Sequence, residues 1–524
     1  MKKQFLKHIT LLSAGLLLST GCTKNFIERN TNPNSYNQTN FDPNYMLTSA
    51  ELGYTGSNDF AYETWRGNLI YCATFMQGLS SVVSYWAGDK YLLNTGYTAA
   101  YWEKAYPDQV KPIVDIVEWT KTKPEHKNLY QISRILRALI FERITDLYGD
   151  VPYSEAGLGY YQKIFFPKYD KQEAIYADLL KEVSEATEAL DPAGDKPGGD
   201  AIYQGDITKW KKFGYSLQLR MAMRLTKVDP ETAKSYAQKV AGKTLTIDDD
   251  AFLRHDGAGG RTTNNRNSQV LMGDGGQEHF YVKWSDTFIN NLKGNNDPRL
   301  SKVACTQLYL ADDSKAQNPN PNFTPADQKG MPNGRDFSTP GFIITADPSF
   351  TAFPDYSSPS PYLIKRDGIT FILTYAETEL LLADAAERFG LGDAATHYNN
   401  GVKAAITYLK QYDAAATISD GDAQAYVNAH PYNSATGLEQ INTQYWIHTC
   451  TMLDFYEAWA NYRRTGYPAL VPLNFPNNAT SGTIPRRFPY PAFEAVNNAE
   501  NLNVARAAVT GGDFLTGRVW WDKQ

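Results

Sequence analysis

Apolar residues recur along this chain mostly at helical spacing. Between 126 and 148, Ile132, Ile135, Leu136, Leu139, Ile140, Ile144 and Leu147 fall on one face of a helix. Gly149 ends that helix and Pro152 blocks a restart. A second helix is predicted over 170–190, opened by Asp170 as N-cap and carrying Ile175, Leu179, Val183 and Ala186 inward. Asp206 opens a third through about Lys227, with Trp210, Phe213, Leu217, Met221 and Leu225 on its buried side. Further helices are expected near 60–79 and at 230–241, 372–389, 393–411 and 438–464. Gly390 and Gly392 make a tight break between two of them. Long helices joined by short turns predict an all-α body of stacked, tetratricopeptide-like hairpins, although no strict 34-residue repeat is visible.

Between the helices the pattern dissolves. The stretch 251–283 is rich in Gly and Asn, 311–361 in Pro, Asn, Asp and Ser, and the tail 466–524 in Pro and Asn. Loops of this length are usually functional or act as covers. The expected organisation is one helical domain over 41–524, with a loop-rich, irregular ligand-binding subregion near 251–361 and the tail 466–524 as further decoration.

The N-terminus follows other rules. Lys2, Lys3 and Lys7 precede an apolar run from Ile9 to Leu18, then Ser19-Thr20-Gly21 and Cys22. A membrane span needs about 20 apolar residues, so this run reads as a signal h-region. It resembles a bacterial lipoprotein signal: 1–21 would be removed, Cys22 would carry acyl chains such as palmitate, and 22–40 would form a tether. Each buried methylene contributes about 0.8 kcal/mol to such anchoring.

Composition narrows the partners. The formal charge of −6 becomes −9 once Lys2, Lys3 and Lys7 leave with the signal. An acidic body argues against nucleic acid and against a basic membrane-binding face. Cys72, Cys305 and Cys450 remain after Cys22, too few for a disulfide framework. The 35 Tyr, 24 Phe and 10 Trp matter more, because Tyr joins a flat ring to a polar tip and suits binding clefts.

Several motifs occur in a telling order. They are Asn30 to Asn34, Arg143 to Ala156 (RITDLYGDVPYSEA), Leu217 to Arg224 (LQLRMAMR), Asp297 to Leu300 (DPRL), Tyr375 to Ala386 (YAETELLLADAA), Trp459 to Pro468, and Pro485 to Pro491 (PRRFPYP). Together they resemble the SusD/RagB family of outer-membrane nutrient-binding lipoproteins over nearly the whole mature chain. The resemblance implies a surface-exposed, lipid-anchored receptor on the outer membrane, partnered with a SusC-like TonB-dependent transporter. It also implies that an oligomeric nutrient, usually a glycan, is captured and handed on. The same architecture could instead capture peptides, hydrolyse glycans, or act as a structural lid.

No family motif carries the ligand residues, so they are read from chemistry. Sugars need aromatic platforms with polar groups beside them. Arg66, Tyr85, Trp86, Asp89, Lys90 and Tyr91 form one candidate cluster. Arg261, Asn264, Asn265 and Asn267 with Trp284 form a second, and Phe353 with Tyr356 a third. Arg463, Arg464, Arg486 and Arg487 are expected to pair with Asp454, Glu457 and Glu494, or else to form an anion site. The chain has no H-E-x-x-H, G-x-S-x-G, P-loop or G-x-G-x-x-G motif, its seven His lie far apart, and no EF-hand spacing occurs. No catalytic residue, metal or cofactor is therefore expected, and weak binding of isolated oligosaccharides, micromolar or weaker, is anticipated.

Overall fold

The computed structural model describes residues 42–58 and 62–523. Cys22, with the signal and tether expected around it, lies outside the described residues. Residues 44–524 form one compact unit. Its body is helical. Lys127–Tyr148 packs on Gln172–Ala189, that helix on Ile207–Arg224, and that in turn on Pro230–Val240. A second stack joins Tyr375–Phe389 to Ala394–Thr407 and to Gly437–Met452. The Ile207–Arg224 helix touches Tyr375–Phe389, so the two stacks share one core.

Local chemistry sets most ends as expected. Gly149 adopts φ 87°, open to glycine at no steric cost, and its N–H reaches the Thr145 carbonyl at 2.7 Å. The Asp206 carboxyl accepts from the N–H groups of Thr208 and Lys209. Asp170 behaves otherwise. Its carboxyl accepts from the Ser154 N–H at 2.7 Å, and the helix starts two residues later. The Gln172 N–H is met instead by Asp150, from just beyond the preceding helix, at 2.9 Å. The expected 438–464 helix is two helices, Gly437–Met452 and Phe455–Thr465, with Leu453 between them at φ 59°.

Among the described residues the strands are short and form four antiparallel pairs. One of them pairs Ala251–Arg254 with Ile369–Leu373. It zips together the two ends of the loop-rich excursion and fixes it to the helical body. The excursion is not purely irregular: short helices occupy Arg266–Leu271 and Asp286–Gly294. Among the described residues no helix is long and apolar enough to cross a membrane. Cys72, Cys305 and Cys450 are buried free thiols.

Candidate functional site

The segment Thr64–Ala73 is wound as a π-helix, a wide turn that often marks functional positions. Its inner side is fixed by long-range partners. The Asn68 side chain accepts from the Phe455 and Tyr456 N–H groups at 2.9 and 3.2 Å and donates to the Leu453 carbonyl at 2.8 Å. That one amide satisfies the backbone groups freed where the two helices break. Gly67 faces the Tyr456 hydroxyl so closely that a Cβ there would lie 2.5 Å from the oxygen. With the inner side pinned, Trp65 and Arg66 stand half-buried on the outer side.

A second element brings the other half of the site. Leu79–Ser81 pairs with Val282–Trp284, setting Ser81 opposite Val282. Chain continuing from this end of the pair carries Tyr85 on one side and Glu278 and Tyr281 on the other. Glu278 is 1% exposed, and its Oε1 accepts from the Tyr85 hydroxyl at 2.6 Å, the Trp65 indole at 3.2 Å and the Trp86 indole at 3.4 Å. Burial, and then the Glu278 carboxyl beside it, hold the Tyr85 phenol well above the usual tyrosine range. Trp65 and Tyr85 meet edge to face at 5.8 Å.

Arg66 completes the patch. Its guanidinium lies 3.7 Å from the centre of the Tyr62 ring and 5.3 Å from that of Tyr97. The Tyr62 hydroxyl donates to Glu103 at 2.8 Å. The result is four half-buried rings, Tyr62, Trp65, Tyr85 and Tyr97, around one guanidinium and one buried carboxyl group. Two polar atoms here lack a protein partner: Nε of Arg66 and Oε2 of Glu278. Beyond Tyr85, Tyr281 stands edge-on to Phe353 at 4.9 Å and to Phe337 at 5.5 Å, and Phe337 is half exposed. These rings rest on a small separate core of Val82, Met331, Ile344 and Tyr356.

The expected clusters are redistributed. Arg66 lies over Tyr62 and Tyr97, while Tyr85 meets Glu278 and Trp65, the chain neighbour of Arg66. Trp86 is fully buried, Asp89 pairs with Lys90 at 3.0 Å and accepts from the Gly334 N–H, and the buried Tyr91 hydroxyl accepts from the Leu473 N–H. The 86–91 loop thus folds inward, because Lys90 caps the carbonyls of Ser81 and Trp86 from within. Asn265 caps the Arg266–Leu271 helix and donates to the Ile369 carbonyl, while Asn267 donates to that of Leu453. Trp284 is fully buried, bonded to the Val303 carbonyl and stacked on Phe288 at 4.4 Å. Arg261 is exposed and Tyr356 is fully buried in the small core. The expectation that Trp86, Trp284 and Tyr356 serve as surface platforms is therefore corrected: protein covers their ring faces.

Sequence reasoning missed Tyr62, Trp65, Tyr97, Glu278, Tyr281 and Phe337. The spacing of Tyr62 and Trp65, three residues apart before an apolar helix, was a usable signal for two of them. The motif arginines are structural in kind but take other partners. Arg464 pairs with Asp384, Arg486 with Asp522 and Arg487 with Asp513, while Arg463 donates to the carbonyls of Asp146 and Arg486. Among the described residues no group of three or more His, Cys, Asp or Glu is placed to hold a metal.

The chain is a helical-hairpin body carrying an aromatic patch, and comparison with known proteins places it in a family. Residues 35–491 match the SusD-like family described as starch-binding and associating with the outer membrane. The chain belongs to that family. Among solved structures, a chitin-binding protein aligns with 32% identity and a TM-score of 0.79, over 92% of this chain and 100% of its own. A Bacteroidetes SusD-like protein, AC2a, aligns with 26% identity and a TM-score of 0.78, over 92% and 100%. A chitin-binding SusD homologue from Flavobacterium johnsoniae has the same fold at 20% identity and a TM-score of 0.72, over 92% and 98%. No curated protein sequence matches the chain.

Proposed function

We propose that this protein is a cell-surface, glycan-binding lipoprotein that delivers oligosaccharides to a SusC-like TonB-dependent transporter in the outer membrane. The carrying observation is the convergence of Tyr62, Trp65, Tyr85 and Tyr97 on Arg66 and Glu278. Rings supply platforms for the C–H faces of sugars, the half-buried Arg66 side chain orients polar substituents, and buried Glu278 holds Trp65 and Tyr85 from behind. A relative at 32% identity named as chitin-binding supports N-acetylated hexosamine oligomers as the ligand class. The chemistry fits. An acetamido group presents a methyl and a carbonyl, which suit half-buried phenol and indole rings beside the half-buried Arg66 side chain. The residues act by binding and orienting; no reaction is assigned to them. Lipid at Cys22 would hold the receptor beside its transporter and raise the effective ligand concentration there.

The test is calorimetry and affinity electrophoresis of the purified protein against neutral, N-acetylated and anionic glycans, with peptides as controls. Trp65→Ala is expected to weaken glycan binding by at least about tenfold without loss of fold. Peptide binding without glycan binding would favour peptide capture. Turnover of a glycan would establish an enzyme. No binding at all would favour a structural lid.

A further inference from the structure

We infer that the glycan path continues past Tyr62 into a second, distal aromatic cleft that takes neutral or amino-bearing sugar units of a longer chain. This rests on the glycan-binding reading above. The cleft measures about 500 Å³, within the range of small-ligand sites. Trp102, Phe165 and Phe493 line it, and Glu103, Glu494 and Asn497 supply polar groups.

Glu103 links the two regions. It lines the distal cleft, and its Oε2 accepts the Tyr62 hydroxyl of the first site. A chain lying on Tyr62 therefore meets the same carboxyl group that opens the next subsite.

The cleft edge is exposed yet fixed, and its floor is buried. Phe165 is 71% exposed at the cleft edge. The loop that carries it is stapled to the C-terminal helices. Asn498 donates to the Pro167 carbonyl at 2.8 Å, and Asn501 donates to that of Phe166 at 3.2 Å. An ordered platform loses little conformational entropy on binding. Trp102, 4% exposed, forms the floor, stacked on Tyr169 at 5.8 Å, whose hydroxyl donates to Glu494.

Charge sets the ligand class. Two carboxyl groups and no lysine or arginine line the cleft. Sugar hydroxyls and amines can donate to these acceptors, whereas uronates and sulfated sugars meet repulsion. Mixed polar and aromatic lining favours a glycan over the apolar face of a protein partner.

The experiment is calorimetry with a graded series of neutral oligosaccharides, from the disaccharide upward, on wild-type protein, Phe165→Ala and Phe166→Ala. Phe165 is exposed, so its loss leaves the core intact. Wild-type affinity is expected to rise again once the chain is long enough to pass Tyr62. Phe165→Ala should remove about three- to tenfold of that gain and leave the shortest ligands unchanged, whereas Phe166→Ala, outside the cleft lining, should behave as wild type. Long-chain binding unchanged by Phe165→Ala would overturn the inference while leaving the first site standing. So would unchanged glycan binding together with lost transporter association, which would mark a protein-docking face. Failure of every oligosaccharide to bind wild-type protein would instead remove the glycan-binding reading itself.

Discussion

Arg220 and Arg224 lie four residues apart on the Ile207–Arg224 helix, and both are 1% exposed. Arg220 meets Glu377 at 2.7 Å, and Arg224 meets Glu457 at 2.6 Å and Asp146 at 3.1 Å. Glu142 stands farther off, 3.7 and 3.9 Å from the two guanidiniums. Four carboxyl groups thus crowd two arginines, and the most distant one keeps its proton. Burial first, with Asp146 and Glu457 adding to it, pushes Glu142 up to about 8 despite Arg220 and Arg224. A raised carboxyl pKa contributes stability that is full below its unfolded value of about 4.3 and is lost as pH climbs toward 8. Glu142→Gln should therefore gain melting temperature relative to wild type progressively from about pH 5 to pH 8. A gain independent of pH would contradict this assignment. Asp384 has the opposite sign. Although burial opposes it, Arg464 and Arg388 hold its carboxyl down to about 2, so its contribution is lost only as pH falls from about 3.9 toward that value. Arg224→Ala, which strands Glu457 and Asp146, should cost about 3–5 kcal/mol in denaturant unfolding.

At the scale of elements, the break at Leu453 joins fold to function. Its freed backbone groups are satisfied by Asn68, which sits in the π-helical segment that presents Trp65 and Arg66. Asn68→Ala should cost about 2–3 kcal/mol and also weaken glycan binding, measured by thermal melting and calorimetry on the same preparation. Lost stability with unchanged affinity would separate the two roles. Helix pairs were legible in the sequence because a 3.6-residue period needs only local residues. The 437–465 break was not, because the apolar period runs on past Leu453 and the compensating amide comes from a distant segment. Arg66 and Tyr85 were legible as an aromatic, polar cluster. Glu278 was not, since its burial depends on pairing 79–81 with 282–284, and nothing near it in sequence signals that partner. Trp86 and Trp284 misled for the converse reason: composition marks a large ring but not which face the fold covers.

For the whole molecule, two helix stacks share one core, segment 62–97 carries the four rings of the patch, and the zipped loop-rich excursion supplies Glu278 beneath them. Segment 62–97 supplies the rings and the excursion the carboxyl group that anchors them, so affinity depends on how these two parts dock. An acidic chain suits neutral or amino-bearing ligands more than polyanions, in keeping with the two carboxyl groups that line the distal cleft. The central claim is that the patch around Glu278 is where ligand sits. A crystal structure of the protein with a neutral N-acetylated oligosaccharide tests it most directly. The expected result is a sugar ring against Trp65 and Tyr85, with a polar substituent beside the Arg66 guanidinium. A ligand bound elsewhere, with that patch empty, would contradict it.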